Sequence, residues 1–215
     1  MIIANGRLLY GGVIMTCTRE KILNTSLRLF ARDGYEAVSV SMIAGELGIT
    51  KGALYKHYRN KRDIFDSIVS RMNEMDYERA GQYDVPQLPI GDDVEAYRKT
   101  SLEQIMKYAK AQFVYWTEEE FSSNFRKMLT LEQYRNVTAA QLYEQYLAGG
   151  PLNYMADIFG CIMGSQTQGM QAALQFYGPV FILYSVYDCA EDKAGVVKTA
   201  DRHIDSFINN LKEKE

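Results

Sequence analysis

The chain has 215 residues, 47% of them apolar and 24% charged, which is the balance of a folded protein and excludes a disordered one. Its longest apolar runs, such as "GPVFILYSVY", fall short of the roughly 18 residues that a membrane-crossing helix needs, and no sustained apolar leader opens the chain, so the expected location is the cytoplasm with no membrane partner. The net charge of −3 conceals an asymmetry: residues 16–71 hold ten Lys/Arg against six Asp/Glu, residues 72–215 thirteen against twenty-one, as in a basic module with a polyanionic partner joined to an acidic module. Three widely spaced cysteines, Cys17, Cys161 and Cys189, form no CxxC pair and suggest neither a disulfide framework nor a metal site.

In chain order, Ile22, Leu23, Leu27, Leu29 and Phe30 keep a helical period from Arg19 to Ala31, with Thr18 as cap and Gly34 just past the end. "SVSMIAGELGIT" predicts a short helix capped by Ser39 and ended near Gly48. A second short helix starts at Thr50, with Ala53, Leu54 and Tyr58 facing inward. "NKRD" then supplies Asn60 as the cap of a long fourth helix carrying Ile64, Phe65, Ile68, Val69, Met72 and Met75. The Pro/Gly/Asp stretch "YDVPQLPIGDD" reads as a loop. Helical segments follow near 93–116, 118–133, 137–148, 151–164, 168–189 and 193–213, with Pro179 expected to kink the penultimate one. The fold class expected is all-α: an N-terminal three-helix module followed by a larger helical domain. The boundaries expected are 1–14 for an N-terminal extension, 15–62 for the first module and 63–215 for the second.

The stretch "TKGALYKHYRNKRDIF", Thr50 to Phe65, concentrates cations and aromatic rings in an otherwise acidic chain. Two short helices joined by a glycine-containing turn and braced by a first helix make a helix-turn-helix. The helix starting at Thr50 would then direct its positive dipole end, the Thr50 hydroxyl and the Lys51 amine at phosphate, with Gly52 allowing close approach. Tyr55 and His57 offer flat rings with polar tips, and Lys61 adds a further phosphate contact. A solvated basic face is the competing reading; the coincidence of caps, turn glycine and apolar spacing favours double-stranded DNA.

Residues 18–70 resemble the DNA-binding domain of the TetR/AcrR family of transcriptional regulators. The likeness rests on Phe-Ala-x-x-Gly-Tyr at the end of the first helix, then Ile-Ala, Gly-Ile-Thr-Lys-Gly, Leu-Tyr-x-His-Tyr and Asn-Lys. By that resemblance Ser39 and Ser41 contact DNA from the second helix. Thr50, Lys51, Gly52, Tyr55, Lys56 and His57 match the recognition helix, and Lys61 opens the fourth. Tyr58 stands where many members carry phenylalanine and reads as core. Val38 replaces a common threonine, so one phosphate contact there would be missing. "FRKMLTLEQYRN", "GPLNYM", "QFYGPVFILYSVYD" and "HIDSFINNL" look like one branch of the family. The resemblance implies a homodimer paired through the last two helices as a four-helix bundle, a palindromic operator, and a small-molecule inducer.

Within the larger domain, Val196, Val197, Ala200, Ile204, Phe207, Ile208 and Leu211 form one stripe of the last helix, and the helix before it is apolar almost all round. Tyr108, Gln112, Tyr115, Trp116, Phe125, Met128, Tyr154, Met155, Phe159, Met163, Phe176 and Tyr177 are candidates for an apolar ligand pocket, although each is more commonly plain core. No catalytic residues, cofactor or metal are expected. The chain has two histidines, His57 and His203, and no nucleophile, zinc-hydrolase, P-loop or dinucleotide signature. His203 reads as a surface or dimer-face residue. The function expected is a repressor released from its operator by a small apolar molecule. The alternatives are an activator, or a helix-turn-helix adaptor without an inducer. Residues 1–14 have no place in the family pattern. Tyr10-Gly11-Gly12 can be encoded with GGAGG ahead of the Met15 codon, so translation is expected to start at Met15; the alternative is a flexible arm that touches DNA, with Arg7 as its one cation.

Overall fold

The structure is a computed structural model; it describes residues 18–86 and 100–212, together with the backbone of 3–4, 7–10 and 13–16. Three short antiparallel strands, β1 (Ile3–Ala4), β2 (Arg7–Tyr10) and β3 (Val13–Thr16), lie in the order β1-β2-β3. The pairs Ala4↔Arg7 and Tyr10↔Val13 are each separated by two residues, Asn-Gly and Gly-Gly in the sequence, the dipeptides that favour tight hairpins. This meander was not expected, and it crosses the anticipated boundary at residue 15. The other described elements are helices.

Helix α1 (Thr18–Asp33) buries Ile22, Leu23, Leu27, Leu29 and Phe30 on one face. It stops at Gly34, whose φ of +87° suits a residue without a side chain and whose N–H still donates to the Phe30 carbonyl at 3.0 Å. Ser39 caps α2 (Val40–Glu46) by accepting from the Met42 N–H, and Gly48, at φ +64°, turns the chain into α3 (Lys51–Tyr55). Asn60 caps α4 (Lys61–Gln82): its side chain accepts from the Asp63 N–H at 2.8 Å, while Asp63 accepts from the Arg59 N–H at 2.8 Å. At 22 residues α4 is about 33 Å long and runs from the first module deep into the second.

Helix α5 (Leu102–Glu118) begins at a reciprocal Ser101–Gln104 capping box, later than expected; residues 93–99 lie outside the described residues. Helices α6 (Glu120–Glu132), α7 (Val137–Leu147) and α8 (Gly149–Met163) follow at short intervals. Helix α9 (Gln166–Cys189) runs unbroken through Pro179, and α10 (Lys193–Lys212) closes the bundle with Ala200, Ile204, Ile208 and Leu211 buried. The buried apolar side chains of both modules form one continuous core, and α1 lies along α6 across the junction.

Helices α8 and α9 make the most intimate pair in the fold. A Cβ at Gly169 would lie 2.4 Å from the Gly160 nitrogen and 2.5 Å from the Ala156 carbonyl oxygen, backbone atoms that cannot swing aside. In an open helix Gly→Ala gains about 1 kcal/mol. Here Gly169→Ala is expected to lose about 1–3 kcal/mol through overpacking, measured as a lower urea midpoint; a higher midpoint would show that the two helices can separate freely.

Candidate nucleic-acid interface and interior polar cluster

The helix-turn-helix presents its expected side chains on one exposed face. Thr50 caps α3, its hydroxyl accepting from the Ala53 N–H at 3.1 Å and keeping its own hydrogen for an external acceptor. Ser41, Lys51, Gly52 and Lys56 are exposed, Tyr55 retains 49% of its surface, and His57 is half-buried. Most neighbouring cations are already paired: Arg28 with Glu46, Arg32 with Asp33, Arg59 with Asp63 and Arg62 with Asp66. Among the described residues, Lys51 and Lys56 have no carboxylate within the 4.0 Å ion-pair distance. Nothing in the chain itself requires glycine at position 52, where a Cβ would meet only the Thr50 hydroxyl at 3.9 Å. The open space points outward, toward whatever approaches α3.

Behind this face the core is as read from the sequence at Tyr58, 2% exposed, whose hydroxyl donates to the Arg19 carbonyl at 3.1 Å. Val38 is fully buried, so its side chain serves packing. Lys61, expected as a phosphate contact, also has partners inside the chain: its amine donates to the Tyr35 carbonyl at 2.8 Å, reaches the Glu36 carbonyl at 3.4 Å, and lies 4.2 Å from the centre of the Tyr35 ring. The α1–α2 turn supplies acceptors within reach of the α4 N-terminus, and the amine satisfies them.

The other side of that turn is held by a residue the sequence reading missed. Glu132, at the end of α6, is 1% exposed, and its Oε1 accepts the Tyr35 N–H at 2.9 Å. A Cβ at Gly34 would fall 2.6 Å from that oxygen, a second reason for glycine there. An acidic residue ending an amphipathic helix reads as solvent-facing, so only the tertiary contact reveals it.

The twelve expected pocket residues separate into groups. Phe159 and Phe176 pack edge-on against each other and tilted against Phe207 in the seam of α8, α9 and α10. His203 belongs to that seam too, its Nε2 donating to the Phe176 carbonyl at 2.8 Å, and not to an open surface. Met155 and Tyr154 are buried on α8, the Tyr154 hydroxyl donating to the Pro86 carbonyl at 2.9 Å. Met163 ends that helix partly exposed, and the Tyr177 hydroxyl donates to the Leu147 carbonyl at 2.8 Å. Trp116 and Phe125 meet Tyr146, with Met128 fully buried on α6. An open groove of about 300 Å³ lies outside all of these, between the end of α1 and α6, α7 and α9; it includes Arg126, paired with Asp188 by two hydrogen bonds of 2.8 Å.

Tyr108, Gln112 and Tyr115 instead face α4. Positions 108, 112 and 115 of α5 are each spaced at about one helical turn, as are 76 and 79 of α4 and its C-cap Tyr83, and the two rows meet. Tyr83 and Tyr108 have ring centres 5.8 Å apart, and the Arg79 guanidinium lies 4.1 Å from the centre of the Tyr115 ring. Arg79 is paired with Glu119, donates to the Ser122 hydroxyl at 2.9 Å and leans on Asp76 at 3.4 Å. Tyr146 donates to Asn73 nearby. Gln112 donates its amide hydrogen to the Tyr108 hydroxyl, leaving its own Oε1 buried without a partner among the described residues. Burial pushes the Asp76 carboxyl up to about 6, partly opposed by Arg79, and pushes the Tyr108 hydroxyl up to about 12. Sequence reasoning missed Asp76 and Arg79 because charged residues near a helix end read as exposed.

The Asp76 shift sets a pH dependence. With the folded-state value raised from 3.8 to about 6, the folded chain holds this proton more tightly than the unfolded chain. The contribution to stability is therefore complete below about pH 4 and is lost as pH rises through about 6. Asp76→Asn, permanently neutral, should be more stable than the parent at pH 7.5 by on the order of 1–3 kcal/mol, with the difference closing near pH 4. Urea unfolding at both pH values checks this; an equal difference at both contradicts it.

The family model described as "Bacterial regulatory proteins, tetR family" matches residues 22–68, the whole helix-turn-helix. The HTH-type transcriptional regulator AcrR of Shigella flexneri is 36% identical over 70 residues, covering 31% of this chain and 33% of that protein. YerO of Bacillus subtilis, also an HTH-type transcriptional regulator, is 33% identical over 90 residues, 37% of this chain and 31% of that protein. These alignments thus span about a third of the curated relatives. The fold likeness runs further: the SmeT–triclosan complex superposes with a TM-score of 0.62 at 17% identity, over 90% of each chain. A TetR-family regulator from Marinobacter aquaeolei gives 0.59 at 21% identity over 91% of this chain and 89% of that one. Residues 22–68 thus carry the helix-turn-helix of the tetR family of bacterial regulatory proteins, and the chain as a whole is similar in fold to solved TetR-family regulators.

Proposed function

We propose that the chain is a ligand-responsive repressor that binds a palindromic operator as a homodimer and leaves it when a small molecule enters the helical body. The observation that carries the DNA contact is the exposed surface of α3. Among the described residues Lys51 and the capping Lys56 have no ion-pair partner, Tyr55 stands out from the surface, and Gly52 is not demanded by the chain's own packing. Such a helix supplies phosphate contacts from Lys51 and Lys56 and a base-edge or sugar contact from Tyr55. Ser39 and Thr50 act chiefly as caps whose hydroxyl hydrogens remain available to phosphate. A DNA-binding role agrees with the cytoplasmic location expected from the sequence.

The dimer has support on α9. Leu174, Gly178, Ile182 and Val186 recur every four residues on its outer side, with Leu174 53%, Ile182 62% and Val186 44% exposed. The outward face of α10, with Lys198, Thr199, Arg202 and Asn209, is polar. An exposed apolar stripe of this length suits a second copy of the same helix. For regulation, α4 joins the α3 region to the interior cluster at Asp76 and Arg79, so a molecule pressing on that cluster tilts α4 and changes the spacing of two α3 helices. Moving the operator from nearly full to nearly empty requires about 5.5 kcal/mol of preference for the released state. SmeT is the repressor of a multidrug efflux pump and has been captured with triclosan, which supports the small-molecule part of the proposal by analogy of fold.

Lys51→Ala should weaken binding to every DNA sequence and reduce the salt slope by about one unit. Tyr55→Ala should weaken operator binding more than binding to random DNA. Fluorescence anisotropy across a salt series checks both; equal losses on operator and random DNA for Tyr55→Ala would remove it from base reading.

A further inference from the structure

The interior cluster between α4 and α5 has a chemistry of its own, and the inference drawn from it rests on the ligand-responsive reading above. Its balance of charge is uneven. Arg79 is the one cation named in it, and Glu119, the Ser122 hydroxyl and the face of Tyr115 already engage that guanidinium. Asp76 touches Arg79 only at 3.4 Å, so a carboxylate is left in surplus. It is also placed unusually: Asp76 is deep enough for desolvation to dominate its titration, yet 28% of its side chain is still reached by water. A group both deep and wetted borders solvent and is not sealed in packing.

The same cluster holds an acceptor with nothing to accept from. Gln112 Oε1 is buried without a hydrogen-bond partner among the described residues, a state that is unfavourable unless a donor arrives. Flipping the Gln112 amide does not remove the deficit: the Tyr108 hydroxyl would then donate to Oε1, and the amide nitrogen would be left unmet in its place. Around these acceptors stand the half-buried rings of Tyr83, Tyr108 and Tyr115, whose faces attract positive charge. A surplus carboxylate, an unmet carbonyl oxygen and aromatic walls together ask for a ligand that carries N–H donors and positive charge on an apolar or aromatic body.

We infer that the recess between α4 and α5, built on Asp76, Gln112 and Tyr108, binds an aromatic or lipophilic organic cation, with the ammonium or amidinium group donating to Asp76 and Gln112 Oε1. A neutral apolar molecule of the same shape would leave both acceptors unmet. An anion would face Asp76 directly and is excluded.

The test is calorimetric titration of the full-length protein with three probes of nearly equal shape: 1-naphthylmethylamine, protonated at pH 7.5, 1-naphthylmethanol and 1-naphthoate. The amine should bind at least about tenfold more tightly than the alcohol, and the carboxylate should not bind measurably. Asp76→Asn, which keeps the shape of the side chain, should bring the amine to the level of the alcohol while changing the alcohol less than about twofold. Gln112→Leu, a second variant that leaves Asp76 in place, should weaken the amine more than the alcohol. An amine no tighter than the alcohol, or a preference that survives Asp76→Asn in the folded variant, overturns the charge assignment and leaves the interior pocket standing. Failure of all three probes to bind up to millimolar concentration overturns the pocket itself.

Discussion

The DNA-reading half of the molecule depends on how one turn is held. Between α1 and α2 the chain passes through Gly34, Tyr35 and Glu36, and both polar groups of the Tyr35 backbone are taken: its N–H by Glu132 of α6, its carbonyl by the Lys61 amine at the start of α4. The Tyr35 ring packs edge-on against Phe30 and Phe65 with centres 5.1 and 5.2 Å away. An acid from the regulatory body and a base from α4 thus close on the same residue from opposite sides. A buried charged acceptor lost from such a pair leaves an N–H unsatisfied, at a cost of about 1–3 kcal/mol, so the turn has few other places to go.

This clamp constrains any account of regulation. Helix α4 is the obvious lever, since it is continuous from Lys61 to the Asp76–Arg79 cluster. Yet α1 rests along α6 more extensively than α4 does, and Glu132 is the last residue of α6. Arg126, earlier on that helix, donates to the Trp116 carbonyl and pairs with Asp188 of α9, so α6 is itself braced by the body. Under the regulation proposed above, a ligand that shifted α4 relative to α6 would pull the two halves of the clamp apart and so disturb the α2–α3 pair. Coupling of this kind is a shared free energy between two sites, so DNA that favoured the closed clamp would disfavour the ligand by the same factor.

Much of the helix-turn-helix was legible in the sequence because its signals are local. Ser39, Thr50 and Asn60 each accept from a backbone N–H two or three residues into the helix, and Gly34 and Gly48 adopt positive φ where the turns were expected. What was not legible depends on partners far away in sequence. Lys61 read only as a phosphate ligand because nothing local shows that the Tyr35 carbonyl lies within its reach. Glu132, Asp76 and Arg79 looked exposed because periodicity tells which face of a helix turns inward and not what stands opposite. The same limit explains the pocket: Phe159, Phe176 and Tyr177 were rightly read as inward, but they close other seams than the one holding Tyr108 and Gln112. The hairpin dipeptides Asn5-Gly6 and Gly11-Gly12 were present and went unread because the extension was set aside as foreign to the family pattern.

The claim on which this account turns is that Glu132 fastens the α1–α2 turn to the regulatory body. Native-state hydrogen exchange of the Tyr35 amide measures it directly, in the parent and in Glu132→Ala. The account predicts an amide protected to nearly the level of the α6 core in the parent, and exchange faster by at least about tenfold in the variant, while α9 and α10 keep their protection. A Tyr35 amide that exchanges in the parent at the rate of an unstructured loop would contradict it.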